Sequence, residues 1–134
     1  MSLAGAKLAG ANLSNTRMVK ADLSQADLFG ADMEAVNLTG AILTGADLRG
    51  ANLHRALLTD AILRGADFRA GVLVDNGGTD GSPTARGTGT TRLTEAKMER
   101  SILAGANFSG CDLTGADLND ADLTGAELTS AVLM

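Results

Sequence analysis

The sequence predicts an all-β solenoid of stacked coils, and three regularities predict it. A leucine-class residue recurs at every fifth position, a small residue precedes it by two, and glycine often follows it by two. Neither ordinary secondary structure can use that period. On an α-helix a step of five turns through about 500°, so successive leucines would spread around the whole surface. In an extended strand a step of five throws consecutive leucines onto opposite faces. A chain that bends once per unit resolves both conflicts. The small and leucine positions then both point inward, two apart as strand geometry asks, and the remaining residues make the corner. At 134 residues a single domain is expected.

The stretch Ala116 to Leu128 shows the unit in its plainest form. Its five positions are here termed first, second, central, fourth and fifth. Central residues run without a gap from Leu3 through Leu8, Leu13, Met18, Leu23, Leu28, Met33, Leu38, Leu43, Leu48, Leu53, Leu58, Leu63 and Phe68 to Leu73. The first position is usually alanine, with Thr16, Val36 and Gly71 as exceptions. The core this predicts is thin. Phe29, Phe68 and Phe108 are the only aromatic residues, so alanine and leucine must fill the interior close to the backbone. At the fifth position, residues such as Gly5, Gly30, Gly45, Gly65 and Gly115 suit the positive φ of a type II turn. Units ending in Lys20, Gln25, Arg55 or Asp60 are expected to turn differently.

Tandem Ala-Asp-Leu-x-Gly and Ala-Asn-Leu-x-x units, covering all of the chain but residues 74–90, resemble the pentapeptide repeat family. The resemblance implies a right-handed, quadrilateral parallel β-helix with four units per coil and about six coils. At about 4.8 Å per coil that is about 29 Å of stack. A twenty-residue echo in the sequence agrees. Asp27, Asp47 and Asp67 would stack on one face with Arg49 and Arg69, and Ile42 would lie above Ile62 on another.

Repeats are therefore expected over 1–73 and 91–134 of one domain, with a Gly/Thr-rich loop at 74–90 that holds the only proline. Leu93 is expected on the face after Leu73. An alternative places a short helix over Thr94–Arg100. Gly77-Gly78 followed by Asp80 lacks the Lys-Ser/Thr of a phosphate-binding loop, and Asp75, Asn76 and Asp80 lack the ligand spacing of a calcium hand. The functional reading of the loop is a projecting partner contact, with Arg86 as its charged residue.

Catalytic chemistry is sparse. His54 sits at an outward fourth position with no Ser, Cys or second His placed to work with it, and reads as a surface residue. Cys111 replaces an inward alanine and reads as a small buried hydrophobe. The glycosylation-like Asn12-Leu-Ser14, Asn37-Leu-Thr39 and Asn107-Phe-Ser109 are by-products of the repeat. No catalytic residue, metal site or cofactor is expected, and the chain reads as a non-enzyme. No apolar run suits a membrane span, and no charged-then-apolar leader opens the sequence. With a single cysteine, the expectation is a cytoplasmic protein.

Charge separates the parts of the chain better than motifs do. Residues 101–134 contain Asp112, Asp117, Asp120, Asp122 and Glu127 and no base, and so carry the whole net charge of −5. Arg49, Arg55, Arg64 and Arg69 are read as a basic band in the middle. The leading functional expectation is a structural or protein-interaction module of unnamed partner, as a whole protein or a piece of a larger one. Its candidate surface is Asp112, Asp117, Asp120, Asp122 and Glu127 together with Arg86. The apolar Val132, Leu133 and Met134 suggest an end-to-end homodimer. No direct nucleic-acid binding is expected. The alternative comes from the resemblance: some family members mimic duplex DNA and bind DNA gyrase, which here would make Asp112, Asp117, Asp122 and Glu127 a phosphate-like row. Those members tend to be longer, dimeric, rich in central Phe and ended by a helix, and this chain departs on the last two.

Overall fold

The computed structural model describes residues 1–75 and 84–134, and shows a four-sided solenoid. Each unit touches the next coil through one parallel bridge at the second position, twenty residues on within each run of repeats, as in Ser2 with Asp22 and Lys7 with Asp27. Four units of five residues therefore close one coil. A first face carries Ser2, Asp22, Ile42, Ile62, Ile102 and Asp122, and a second carries Lys7, Asp27, Asp47, Asp67, Asn107 and Glu127. A third carries Asn12, Asp32, Asn52, Arg92, Asp112 and Val132, and a fourth Arg17, Asn37, Leu57, Lys97 and Asp117. The twenty-residue echo of the sequence is thus physical. The isoleucine stack also runs one coil further than the echo suggested, because Ile102 sits above Ile62 across the insertion.

The five positions divide the backbone hydrogen bonds among them. The second-position N–H donates to the preceding coil, as Asp47 to the Ala26 carbonyl (2.9 Å), and the central N–H to the following coil, as Leu48 to the Asp67 carbonyl (2.8 Å). The fifth N–H also reaches the following coil, as Gly45 to Arg64 (2.9 Å), and the first N–H closes the corner on its own coil, as Ala51 to Leu48 (3.1 Å). One donor remains, the fourth N–H, and the second side chain accepts it: Arg49 N–H donates to Asp47 Oδ1 at 3.1 Å and Ser109 N–H to Asn107 Oδ1 at 2.9 Å. Hence Asp and Asn recur there. Their short carboxylate or amide oxygen reaches a backbone donor two residues on, an arrangement a longer side chain makes poorly.

Every fifth residue from Gly5 to Gly65 and from Glu95 to Ser130 has positive φ, glycine or not. Lys20, Gln25, Arg55 and Asp60 have φ of 57°, 59°, 58° and 61°, so the expectation that they turn differently is corrected. The coil closes only if all corners are alike, and from Asn15 to Arg100 the intercoil hydrogen bonds of the central and fifth N–H groups hold the non-glycine corners in a region that L-residues ordinarily avoid.

Inside, the central residues from Met18 to Phe68 and from Leu93 to Leu113 are buried, with the first-position alanines packed between them. At the polar first positions Thr16 and Ser101 the hydroxyl donates into its own turn, to the Leu13 carbonyl at 2.6 Å and the Met98 carbonyl at 2.7 Å. Phe68 and Phe108, in adjacent layers of one face, stack with ring centroids 4.6 Å apart.

The insertion begins earlier than the repeat pattern suggested. Asn52 bridges Arg92, and Leu53 N–H donates to the Arg92 carbonyl at 2.7 Å, so Leu93 follows Phe68 directly on the next face and Leu73 is outside the coil. Residues Gly71–Asp75 form strand β1, which pairs antiparallel with β2, Thr84–Gly89, and Leu73 stands opposite Arg86. Gly71-Val72-Leu73 mimics a repeat unit in sequence, but hairpin pairing claims its backbone. Thr91 closes the base: its hydroxyl donates to the Arg69 carbonyl (2.7 Å) and accepts from Gly50 N–H (2.6 Å). The stretch Thr94–Arg100 continues the repeat, with Lys97 bridged to both Leu57 and Asp117, and is not a helix. Because Ala70 and Thr91 are consecutive in coil register, deleting residues 71–90 should preserve the solenoid. We expect a thermal midpoint no lower than the parent's, since removing a 20-residue loop relieves about 2–3 kcal/mol of closure entropy by its logarithmic dependence on length. A large loss of cooperativity in circular dichroism melts would show that the insertion supports the coil.

Candidate functional site

The charged candidates are placed by register, and register separates them. Asp122 lies on the first face, Glu127 on the second, Asp112 on the third and Asp117 on the fourth. A row down one face needs a spacing of twenty, whereas these are spaced by five, so they encircle the last coils as a ring. Asp120 is at a corner, with φ of 58°. The phosphate-like row is corrected accordingly.

Much of that ring is also structurally engaged. Asp112 Oδ1 accepts Thr114 N–H (3.0 Å) and its hydroxyl (2.6 Å), and Asp122 does the same with Thr124 (3.0 and 2.6 Å). The hydroxyl bonds, reinforced by the backbone donors, hold both carboxyls below the usual carboxylate range, so both remain charged under mildly acidic conditions. Asp117 accepts Asn119 N–H at 3.1 Å and lies 3.8 Å from the Lys97 ammonium.

The basic band does not exist as a continuous surface. Arg49 and Arg69 share the second face, where Arg49 Nη2 meets Asp47 Oδ2 at 2.7 Å and Arg69 Nη2 meets Asp67 Oδ2 at 2.7 Å. Arg49 also covers the ring of Phe29 at 5.4 Å from its centroid, a cation–π contact that shields an otherwise outward phenyl group. Arg55 pairs with Glu95 across a different corner at 2.8 Å, and Arg64 follows the first face. Among the described residues the one true acidic column, Asp27-Asp47-Asp67, is therefore largely neutralised by Arg49 and Arg69.

His54 is tied into the wall, its Nδ1 2.7 Å from Thr94 Oγ1. Arg86 lies on β2, and its side chain is outside the described part of the structure, as are residues 76–83 of the loop. Cys111 is buried at an inward first position, and burial pushes its thiol up to about 12. Its Sγ lies 3.3 Å from the Thr91 carbonyl. At pH 8 the thiolate is then on the order of one part in ten thousand. We expect no measurable alkylation by iodoacetamide in the native protein and stoichiometric alkylation after denaturation, read by mass spectrometry. Native labelling within minutes would show that the last coils open.

The two ends differ from the middle. Leu3, Leu8 and Leu13 in the first coil and Leu118, Leu123 and Leu128 in the last are only partly buried, and Val132, Leu133 and Met134 are 39%, 56% and 85% exposed. The sequence already marks this apolar terminal group. What it does not mark is the ring geometry of the acids, because the direction each unit faces depends on the number of sides.

Comparison with known proteins agrees with this geometry. The profile of the pentapeptide repeats matches eight copies, over residues 2–34, 31–69 and 91–130. Among curated protein sequences none matches. Among solved structures, HetL of the cyanobacterium Nostoc sp. strain PCC 7120, involved in heterocyst differentiation regulation, is similar at 33% identity and a TM-score of 0.60, over 98% of this chain and 59% of HetL. This chain thus spans less than two thirds of HetL. A pentapeptide repeat protein of the Arabidopsis thaliana thylakoid lumen is similar at 25% identity and a TM-score of 0.60, over 95% of this chain and 71% of its own. QnrB1, a plasmid-mediated fluoroquinolone resistance protein, shares the fold at 22% identity and a TM-score of 0.57, over 96% of this chain and 64% of its own. With the period of five, the bridges at twenty and these matches together, the chain belongs to the pentapeptide repeat family, as a right-handed quadrilateral β-helix.

Proposed function

We propose that this protein is a non-enzymatic interaction module, a rigid rod that presents outer ladders and ends to a protein partner. The observation that carries the reading is the filled interior: leucine layers occupy the core from Met18 to Leu113, so recognition falls to the surface. On that surface the C-terminal coil combines the acidic ring Asp112, Asp117, Asp120, Asp122 and Glu127 with apolar Val132, Leu133 and Met134. Apolar residues rimmed by charge are the usual anatomy of a contact patch. Arg86 on the hairpin is a second candidate contact. A homodimer through the C-terminal end belongs to this proposal, and sedimentation velocity over a hundredfold range of concentration tests it. A mass that stays monomeric throughout rejects it. The proposal also places the protein in the cytoplasm, supported by the lone free thiol, and cell fractionation checks this.

A second reading is a DNA-mimicking modulator of an enzyme such as DNA gyrase. It is favoured by the location of the whole net charge of −5 in residues 101–134. In a gyrase supercoiling assay, this reading requires inhibition that is lost when Asp112, Asp117 and Asp122 become Asn. The ring geometry and the neutralised second face weigh toward the first reading.

A further inference from the structure

We propose that the isoleucine column of the first face, Ile42-Ile62-Ile102, is a docking surface for an amphipathic helix of a partner protein, lying along the rod with an acidic residue over Arg64 and a basic residue over Asp122. The inference rests on the reading of the protein as an interaction module and adds to it a contact in the middle of the wall.

Two departures from the repeat coincide there. The outward second side chain commonly accepts the fourth N–H of its unit, as Asp22 accepts Ser24 N–H and Asp122 accepts Thr124 N–H, both at 3.0 Å. Between those two coils, three successive coils carry Ile42, Ile62 and Ile102 at that position, each partly exposed on the outer wall. Isoleucine cannot accept a hydrogen bond. Among the described residues, the N–H groups of Thr44, Arg64 and Ala104 therefore have no acceptor. Leu43, Leu63 and Leu103 already fill the core behind the column, so the isoleucines add an outer apolar ridge. That ridge runs beside a row of open backbone donors, and both step about 4.8 Å per coil. Such a surface suits a partner that is apolar along one stripe and an acceptor along the next.

The step decides the kind of segment. Side chains on one face of an extended strand recur about every 6.8 Å, and fall out of phase with the ridge after one coil. On a helix, residues three and four apart share a face and rise about 4.5 and 6.0 Å, which brackets the coil step. Charge decides what flanks the apolar stripe. Arg64 is exposed on the middle coil of the three, and among the described residues no carboxylate lies within ion-pair distance of it. Asp60, at the corner before Ile62, is paired with Arg100 at 2.8 Å. Asp122 lies two coils beyond Ile62, with Asp120 at the corner before it, whereas Lys20 precedes Asp22 at the other end. The column is thus basic at its centre and acidic toward Asp122. An acid and a base about seven residues apart on a helix span about 10.5 Å, against about 9.6 Å for two coils. A second copy fits less well, because two-fold pairing centred on Ile62 sets Asp22 of one copy against Asp122 of the other.

Fluorescence anisotropy on the full chain tests this with two labelled synthetic peptides of about 18 residues, both helical by circular dichroism. Each has leucine at every third or fourth position. The first flanks that stripe with Glu and, seven residues on, Lys; the second has Lys at both places. We expect the first to saturate with a Kd on the order of 10–100 μM, as befits a small contact, and the second to bind at least about tenfold more weakly. Arg64→Glu should invert that preference, and this rescue of the second peptide excludes misfolding as the cause of the first one's loss. Ile62→Asn should weaken the first peptide at least about tenfold while keeping a cooperative melt, since Asn already caps the same N–H in the units of Asn37 and Asn52. Equal binding of the two peptides to the wild type, or binding that Ile62→Asn leaves unchanged, overturns the inference, as does no saturation up to about 1 mM. A wild-type dimer dispersed by Ile62→Asn in sedimentation would seat a second copy on the column and overturn the helix. None of these failures touches the C-terminal contact surface, which the sedimentation of the wild type over concentration tests by itself.

Discussion

Leu48→Asp is expected to abolish cooperative folding. Leu48 is fully buried in the second-face ladder between Leu28 and Phe68, and its N–H holds the following coil through the Asp67 carbonyl at 2.8 Å. Truncation of such a leucine costs about 2–5 kcal/mol, and an unpaired carboxylate adds several more. The sum rivals the whole stability of a typical domain, about 5–15 kcal/mol. In a stack each layer is covered only by its neighbours, so the damage spreads beyond one coil. The neighbouring Asp47→Ala provides the contrast. Read from the sequence it should be nearly silent, but Asp47 accepts the Arg49 N–H and pairs with its guanidinium at 2.7–2.8 Å. A loss of about 1 kcal/mol is expected instead, a midpoint lower by about 5 °C. Far-UV circular dichroism melts decide the matter. Comparable melts for the two variants would refute the assignment of inward and outward positions.

The fold was legible because the period of five is incompatible with both helix and strand, and only a bend per unit reconciles it with an apolar interior. The number of sides was not contained in that period; it came from the family resemblance and the weak echo at Asp27, Asp47 and Asp67. The same gap explains the acidic ring. Asp112, Asp117 and Asp122 look like a row along the sequence, yet each unit turns a corner and sends its acid to a new face. The start of the insertion, expected at residue 74, is misplaced for another reason. Gly71-Val72-Leu73 satisfies the inward pattern as well as a true unit does, and only pairing with Thr84–Gly89, distant in sequence, removes it from the coil. The corner residues show the converse. Lys20, Gln25, Arg55 and Asp60 have no intrinsic preference for positive φ, and the coil imposes it.

The second large effect concerns the seam at the insertion. Phe68 is the last central residue before β1, and its N–H donates to the Asn107 carbonyl at 2.7 Å across the gap. Its ring lies on Phe108 with an interplanar angle of 9°, and both are fully buried. This stack joins a layer formed before the insertion to one formed after it, where chain continuity contributes least. Phe68→Ala should cost about 3–5 kcal/mol from the cavity, with about 0.5–1.5 kcal/mol more from the lost aromatic pair. The expected fall in melting midpoint is roughly 10–20 °C. Because a solenoid is held layer to layer, the weakened seam should also split the transition, with residues 91–134 losing structure before 1–70. Phe68→Leu supplies the residue type of Leu28 and Leu48 below it in the ladder and should recover most of the loss, leaving about 1–1.5 kcal/mol. Hydrogen exchange read separately on the two segments distinguishes the cases. If Phe68→Ala and Phe68→Leu melt alike, or if both segments exchange together in the alanine variant, the paired phenylalanines are ordinary filling and the seam is as strong as any other layer.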